Sequence, residues 1–141
     1  MTTKLKGDLN SGMIYAIYGS TSEFGRENTP IQLTPKTIKP KYEGRAVYEL
    51  FRGAGIRIYP IATDLDKIGN DKTYRSLSEL PEHVDVVISC LGKDKALKVV
   101  REAAEAGIRH IFFQPRTDSS EATSFCETKG LEVTKGCALS R

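Results

Sequence analysis

The chain has 141 residues, of which 39% are apolar and 28% are charged, and this composition is ordinary for a soluble globular domain. It excludes collagen, a coiled coil and low-complexity disorder. The 21 basic and 18 acidic residues leave a net charge of +3 without any block of like charges. We therefore expect neither a nucleic-acid-binding arm nor a membrane-binding patch.

No segment is typical of a secretion signal or a membrane span. The first residues lack an apolar region, and the longest apolar run, residues 84–91, is far shorter than the ~20 residues that a span needs. We expect a cytoplasmic protein, with one domain over residues 1–141 and a flexible N-terminal tail over residues 1–12. Cys90, Cys126 and Cys137 lack CxxC spacing and form an odd set, which argues against disulfides and zinc.

Short apolar runs predict five β-strands. In chain order they cover residues 13–18, 56–61, 84–90, 111–114 and 131–134. Each run is nearly continuous in apolar residues, which is typical of a parallel sheet that is buried on both faces.

Three amphipathic segments between these strands predict helices. The first helix ends near Gly53 or Gly55, because glycine readily adopts the left-handed conformation at a helix end. Asp94 is placed to cap the start of the second helix. The third helix opens on a sequence that resembles a capping box, with Asp118 in the capping position, and it ends at Gly130.

The alternation of strands and helices predicts a doubly wound, Rossmann-like α/β fold. This is a three-layer sandwich around a five-stranded parallel sheet, for which we predict the strand order 3-2-1-4-5. Ligands bind such sheets at the carboxyl ends of the strands where the order reverses, here between the first and fourth strands. The loops after these strands and the Gly92-Lys93 turn should meet there.

The turn Gly19-Ser20-Thr21-Ser22 directly follows the first strand. Small residues at this place let backbone amides approach a phosphate, and the hydroxyls can donate further hydrogen bonds. The turn therefore favours a pyrophosphate ligand, and a tight turn that binds nothing is the alternative. Gly25 does not complete the GxGxxG fingerprint of dinucleotide-binding proteins.

A long segment with three prolines, residues 23–41, separates this turn from the first helix. Loops of such length are usually functional or mobile. Lys36, Lys39, Lys41 and Arg45 form a basic cluster at its end, close to the expected phosphate site. Such a cluster suits a ligand with a third phosphate, and a solvated basic surface is the alternative.

Several segments together resemble a known family. They are the first strand ending in Gly19-Ser20, Tyr59-Pro60-Ile61, the run from Tyr74 to Val87, Glu105-Ala106-Gly107, Phe112-Phe113-Gln114, and Lys129-Gly130-Leu131-Glu132-Val133 with Cys137. In this order and spacing they resemble the small CoA-binding Rossmann-like proteins, which are related to the N-terminal domain of the succinyl-CoA synthetase alpha subunit. The resemblance extends over residues 13–137. Members usually have Pro-Val-Asn-Pro where this chain has Pro60-Ile61-Ala62-Thr63.

The resemblance implies non-catalytic binding of coenzyme A or an acyl-CoA through the Gly-Ser turn. The nucleotide end would lie near residues 60–63 and the pantetheine near the loop after the fourth strand. The cofactor-binding residues then expected are Gly19, Ser20, Thr21, Lys39, Lys41, Arg45, Pro60, Ala62 and Gln114. Cys137 would lie near the ligand's thiol or would be a buried, inert cysteine.

Two other functions remain open. One is an NAD(P)-binding oxidoreductase-like domain, in which Asp64 after the second strand would hold an adenine ribose. The other is a protein-interaction module that has lost the ligand. His83 and His110 precede strands at the opposite edge of the sheet, so we predict no catalytic residue and no metal site. The expected partner is a small molecule rather than nucleic acid or a membrane, with a homodimer left open.

Overall fold

The computed structural model of the protein describes residues 12–25 and 43–138. The predicted tail up to residue 11 and most of the proline-rich loop lie outside the described residues. So do three members of the predicted basic cluster, Lys36, Lys39 and Lys41.

The described residues form a five-stranded sheet, a small hairpin and four helices. In chain order the elements are β1 (Tyr15–Tyr18), α1 (Thr21–Phe24), α2 (Glu43–Gly53), β2 (Ile58–Ile61), β3 (Lys67–Ile68), β4 (Asp71–Lys72), β5 (Val86–Ser89), α3 (Ala96–Glu105), β6 (His110–Phe113), α4 (Ser120–Lys129) and β7 (Glu132–Lys135). The predicted α/β fold with a five-stranded parallel sheet is confirmed. The short helix α1 and the hairpin β3–β4 occupy segments that the sequence had indicated as loops.

The strand order is β2-β1-β5-β6-β7, and all neighbours are parallel. The predicted order 3-2-1-4-5 is wrong, because the third strand of the sheet, β5, pairs with β1 and not with β2. Near Pro60, the outer edge of β2 is not available for pairing with β5. Tyr74 donates its N–H to the Pro60 oxygen and accepts the Ala62 N–H, both at 2.9 Å, and Pro60 has no N–H for a ladder. The order therefore reverses between β1 and β5.

Two apolar layers cover the sheet. Tyr15 and Ile17 of β1 face the layer that contains α2, whereas Ala16 and Tyr18 face the layer that contains α3 and α4. All four residues are at most 1% exposed, as expected for a central parallel strand. None of the helices in the described part of the chain has the length and apolar character that crossing a bilayer requires.

The helix ends correct two of the predicted caps. Ser119, not Asp118, caps α4, because its hydroxyl accepts the Ala122 N–H at 3.1 Å. Asp94 lies within a 3₁₀ turn that precedes α3 and is not its cap. Gly130 ends α4 in the left-handed conformation with a φ of 73°, as predicted.

We expect Gly19→Ala to destabilise the protein. A Cβ at this position would lie 2.9 Å from two ring atoms of Phe24, a fully buried residue. Overpacking of this kind should lower the free energy of unfolding by about 1–3 kcal/mol in urea denaturation. Gly53→Ala is the matched control, since nothing lies within 4 Å of a Cβ there. Equal unfolding midpoints for Gly19→Ala and the unaltered protein would contradict the prediction.

Candidate functional site

The carboxyl ends of β1, β2 and β5 form one continuous edge of the sheet. The Gly19 N–H donates to the Ile61 oxygen at 2.9 Å, and the Cys90 N–H donates to the Tyr18 oxygen at 2.9 Å. We call the residues that follow the strands here, 19–22, 62–64, 90–92 and 114–117, the carboxyl edge. It contains the β1/β5 switch point, where doubly wound sheets of this order bind their ligands.

The turn after β1 is hydrogen-bonded to a carboxylate side chain of the protein. The Thr21 N–H donates to the Asp64 carboxylate, at 3.1 and 3.3 Å from its two oxygens, and the Thr21 hydroxyl donates to the Asp64 backbone oxygen at 3.4 Å. Ser20 caps α1: its hydroxyl oxygen accepts the Ser22 N–H at 3.2 Å and donates to Glu23 at 2.7 Å. Two donors of this turn, the Thr21 N–H and the Ser20 hydroxyl, are therefore directed at carboxylates of the chain itself.

The structure brings this turn and the segment after β2 together, as the resemblance implied. Pro60 and Ala62, which were expected at the nucleotide end, are both buried. Their outward backbone groups are bonded to Tyr74. Thr63 and Asp64 are exposed, and Asp64 is bonded to the turn, so they are the residues of this segment that a ligand could reach.

Gln114 follows β6 and is 2% exposed. Its side-chain oxygen accepts the Ala138 N–H at 2.7 Å, and its amide nitrogen donates to the Glu43 carboxylate and, at 3.9 Å, to the sulfur of Cys137. Both polar atoms of the side chain are thus engaged by the protein. Gln114 ties the end of β6 to the start of α2 and to the chain after β7, and a contact with pantetheine stays a prediction.

Arg45 lies in the first half of α2 and is 7% exposed. Its Nε donates to Glu49 at 3.1 Å, whereas its Nη1 is buried without a hydrogen-bond partner in the described part of the chain. A Cβ built on Gly69, in the β3–β4 turn, would lie 3.7 Å from its Nη2. Arg45 therefore lies against the hairpin turn. Lys39 and Lys41, predicted to act with it, lie outside the described residues.

Two of the three cysteines lie close to the carboxyl edge. Burial, and then the charges of Glu43 and Glu23, raise the pKa of the Cys90 thiol well above its ordinary value. Cys137 is only half-buried. Cys126 lies within α4, where burial and then a neighbouring carboxylate raise its thiol pKa to about 11. Cys90 and Cys126 are therefore protonated thiols at neutral pH.

Sequence reasoning missed two charged residues at or beside this edge. Glu43 begins α2 and contacts Gln114, a residue 71 positions away, so no local pattern indicates the pair. Arg116 is exposed and has a φ of 66° in the turn that the Thr117 N–H closes on the Gln114 oxygen at 3.1 Å. Proline at position 115 is a signal for such a turn.

The two histidines lie away from this edge. His110 is the first residue of β6, and its Nε2 lies 2.9 Å from the Thr134 hydroxyl. His83 precedes β5 and is exposed. Within residues 12–25 and 43–138, no group of three or more His, Cys, Asp or Glu side chains is arranged to hold a metal ion.

The sequence of this chain matches one protein family. The profile of the CoA binding domain matches residues 37–141, which is most of the chain. The chain belongs to this family of CoA-binding domains. The match includes β2 and every later element, whereas β1 and the turn after it lie before the matched residues.

Solved structures share the fold of this CoA-binding domain. A conserved hypothetical protein from Pyrococcus furiosus is 28% identical, with a TM-score of 0.68 over 87% of this chain and 92% of its own. A hypothetical protein from Pyrococcus horikoshii OT3 is 19% identical, with a TM-score of 0.70 over 89% of this chain and 77% of its own.

A larger protein also contains the fold. The dinucleotide-forming acetyl-coenzyme A synthetase 1 of Ca. Korarchaeum cryptofilum is 21% identical, with a TM-score of 0.56, over 84% of this chain and 25% of that enzyme. This likeness concerns the fold alone. No curated protein sequence matches the chain.

The thiols should differ in their reactivity towards iodoacetamide. A raised pKa lowers the fraction of reactive thiolate at a given pH, so Cys90 and Cys126 should react much more slowly than the half-buried Cys137 at pH 7.5. Mass spectrometry of the native protein over time measures the order of modification, and the same reaction in urea is the control. Modification of Cys90 at the same rate as Cys137 would contradict the low reactivity predicted for Cys90.

Proposed function

We propose that this protein binds coenzyme A or an acyl-CoA at the carboxyl edge and catalyses no reaction on it. The observation that carries the proposal is the family match over residues 37–141, which includes three of the four loops of this edge. The fold also favours ligand binding at this edge, because the strand order reverses between β1 and β5.

The chemistry of the turn after β1 supports a diphosphate there. The Thr21 N–H is bonded to a carboxylate, and a phosphate oxygen is an acceptor of the same kind. In the proposed complex the diphosphate takes the place of the Asp64 carboxylate, and the hydroxyls of Ser20 and Thr21 add donors. Gly19 has a separate role, since it leaves room for the Phe24 ring.

Arg45 supports a further phosphate near the β3–β4 turn. A buried guanidinium nitrogen without an acceptor is costly, and an anion that reaches Nη1 would supply the missing acceptor. In our proposal the 3′-phosphate of CoA is this anion, and Lys39 and Lys41 complete its site. Pantetheine then extends from the turn towards Gln114.

The described side chains at and beside the carboxyl edge favour binding over catalysis. The carboxylates of Glu23, Glu43 and Asp64 each accept a hydrogen bond from the protein, and the Cys90 thiol is buried and protonated. A general base needs a free acceptor within reach of the substrate's proton. We therefore propose a carrier, sensor or partner module.

A thermal-shift series tests the proposal with CoA, acetyl-CoA, dephospho-CoA, NAD, NADP and FMN at equal concentrations. A ligand at about 100 times its Kd adds ~2.7 kcal/mol of stability, which raises the midpoint by several degrees. We expect CoA and acetyl-CoA to raise the midpoint most and dephospho-CoA less. A response to NAD or NADP alone would contradict the proposal and favour the oxidoreductase-like alternative.

A pair of double variants assigns the 3′-phosphate site. Lys39→Gln with Lys41→Gln should lower the response to CoA towards that of dephospho-CoA, with Arg45 retaining part of the site. Arg101→Gln with Lys129→Gln removes the same charge at the ring of Phe125, away from the carboxyl edge, and should leave both responses unchanged.

Asp64→Asn should tighten CoA binding. The carboxylate competes with the diphosphate for the Thr21 N–H and repels it, whereas an asparagine oxygen still accepts that bond without a charge. We expect calorimetry to give a Kd about two- to fivefold lower, the size of one exposed charge interaction. Asp66→Asn, whose carboxylate pairs with Arg75, is the matched control. Weaker CoA binding by Asp64→Asn alone would disprove the competition.

A further inference from the structure

A cleft of about 420 Å³ runs along the outer edge of β2. We call it the edge cleft, and it is lined by Tyr48, Arg52, residues 55–60, Asp71, Lys72 and Tyr74. The bonds of Tyr74 to Pro60 and Ala62 close the end of β2 next to the carboxyl edge. The lining of the edge cleft therefore contains no residue of the carboxyl edge.

One residue of β2, Ile58, lines this cleft and has outward backbone groups without a partner, although it is only 5% exposed. The Arg57 oxygen accepts the Tyr15 N–H at 3.0 Å, so in the parallel ladder Arg57, Tyr59 and Ile61 point towards β1. The N–H and C=O of Ile58 point the other way, and they have no hydrogen-bond partner in the described ranges. They form an unpaired donor and acceptor beside each other.

This pair of groups suits an extended peptide. In an antiparallel pair of strands, one residue exchanges both its N–H and its C=O with the residue opposite. The next outward groups of β2 offer no continuation, since Pro60 has no N–H and its oxygen is bonded to Tyr74. A segment that docks here therefore makes one such residue pair and is short.

The charges around the cleft select an acidic peptide. Arg52, Arg57 and Lys72 line it together with the carboxylate of Asp71. Glu82, the partner of Arg57, lies beside it, so the positive charges exceed the negative ones by one. The Arg52 and Arg57 side chains are 51% and 63% exposed, so they remain accessible although each has one carboxylate partner. The Lys72 ammonium lies 5.4 Å from the centre of the Tyr74 ring.

Aromatic rings supply an apolar flank. Tyr59 and Tyr74 pack edge to face with their centres 5.7 Å apart, and both line the cleft. Strand addition to a sheet edge combines main-chain hydrogen bonds with side-chain contacts of this kind. We propose that the edge cleft binds a short, extended acidic segment of a partner protein, which pairs with Ile58.

The test uses a fluorescein-labelled hexapeptide of alternating glutamate and valine, with both ends blocked, and fluorescence anisotropy. We expect saturable binding of this peptide and none of the matching lysine–valine peptide. Methylation of every backbone amide of the acidic peptide should weaken binding at least about tenfold, because a methylated amide cannot donate to the Ile58 oxygen.

Protein variants locate the site. Arg52→Gln with Arg57→Gln should weaken binding of the acidic peptide about tenfold, whereas Arg101→Gln with Lys129→Gln should not change it. Amide chemical shifts of the unaltered protein provide a second readout, and the perturbed resonances should be those of residues 55–59 and 71–74.

Four outcomes would overturn the proposal, and the first three concern the peptide. They are an absence of saturable binding of the unmodified peptide, equal binding of the methylated peptide, and perturbation of the carboxyl edge in place of the edge cleft. Displacement of the peptide by AMP, with tighter binding of AMP at the same resonances, would make the cleft a nucleotide site and would also overturn it.

Discussion

The pairing of β1 on both sides is the constraint on which the rest of the structure depends. β1 pairs in parallel with β2 and with β5, and its residues are almost fully buried. The hydroxyl of Tyr18 donates to Glu102 at 2.7 Å, and the same carboxylate accepts the Leu77 N–H at 3.2 Å. The end of β1 is therefore joined to α3 and to the segment before β5, so the turn that follows has a fixed position at the switch point.

That fixed position explains the contact between the turn and Asp64. Because β2 lies beside β1, the chain that leaves β2 passes the Thr21 N–H, and Asp64 satisfies this donor. In the proposed complex one anion is exchanged for another. The binding free energy is then the difference between the diphosphate contacts and the carboxylate contacts that they replace, so the segment after β2 influences affinity without contacting most of the ligand.

Much of this fold could be predicted from the sequence, because burial on both faces leaves unmistakable apolar runs. The strand boundaries differ from the prediction by about two residues at most. The strand order could not be obtained in this way, since apolar content does not specify a neighbour. Pro60 was the one clue, because without an N–H it interrupts the ladder that a further strand of the sheet would form along β2.

The candidate site was less accessible to sequence reasoning, because its contacts join distant residues. Thr21 and Asp64 are 43 positions apart, and Gln114 and Glu43 are 71 apart. The hairpin β3–β4 has only four paired residues and no apolar periodicity, so it carried no signal. The turn after β1 could be predicted because its small residues are adjacent in the sequence. The partners of its donors are distant in the sequence and could not be predicted.

The place of β1 in the sheet also determines when the fold can form during synthesis. β1 lies opposite Val86 to Ser89, so 71 residues separate the paired positions, and closing such a loop is slow. Until β5 has left the ribosome, β1, an interior strand of the finished sheet, is an edge strand with apolar side chains and unpaired backbone groups. Chains that stop before residue 86 therefore expose an edge that other chains can pair with, and they are prone to aggregate.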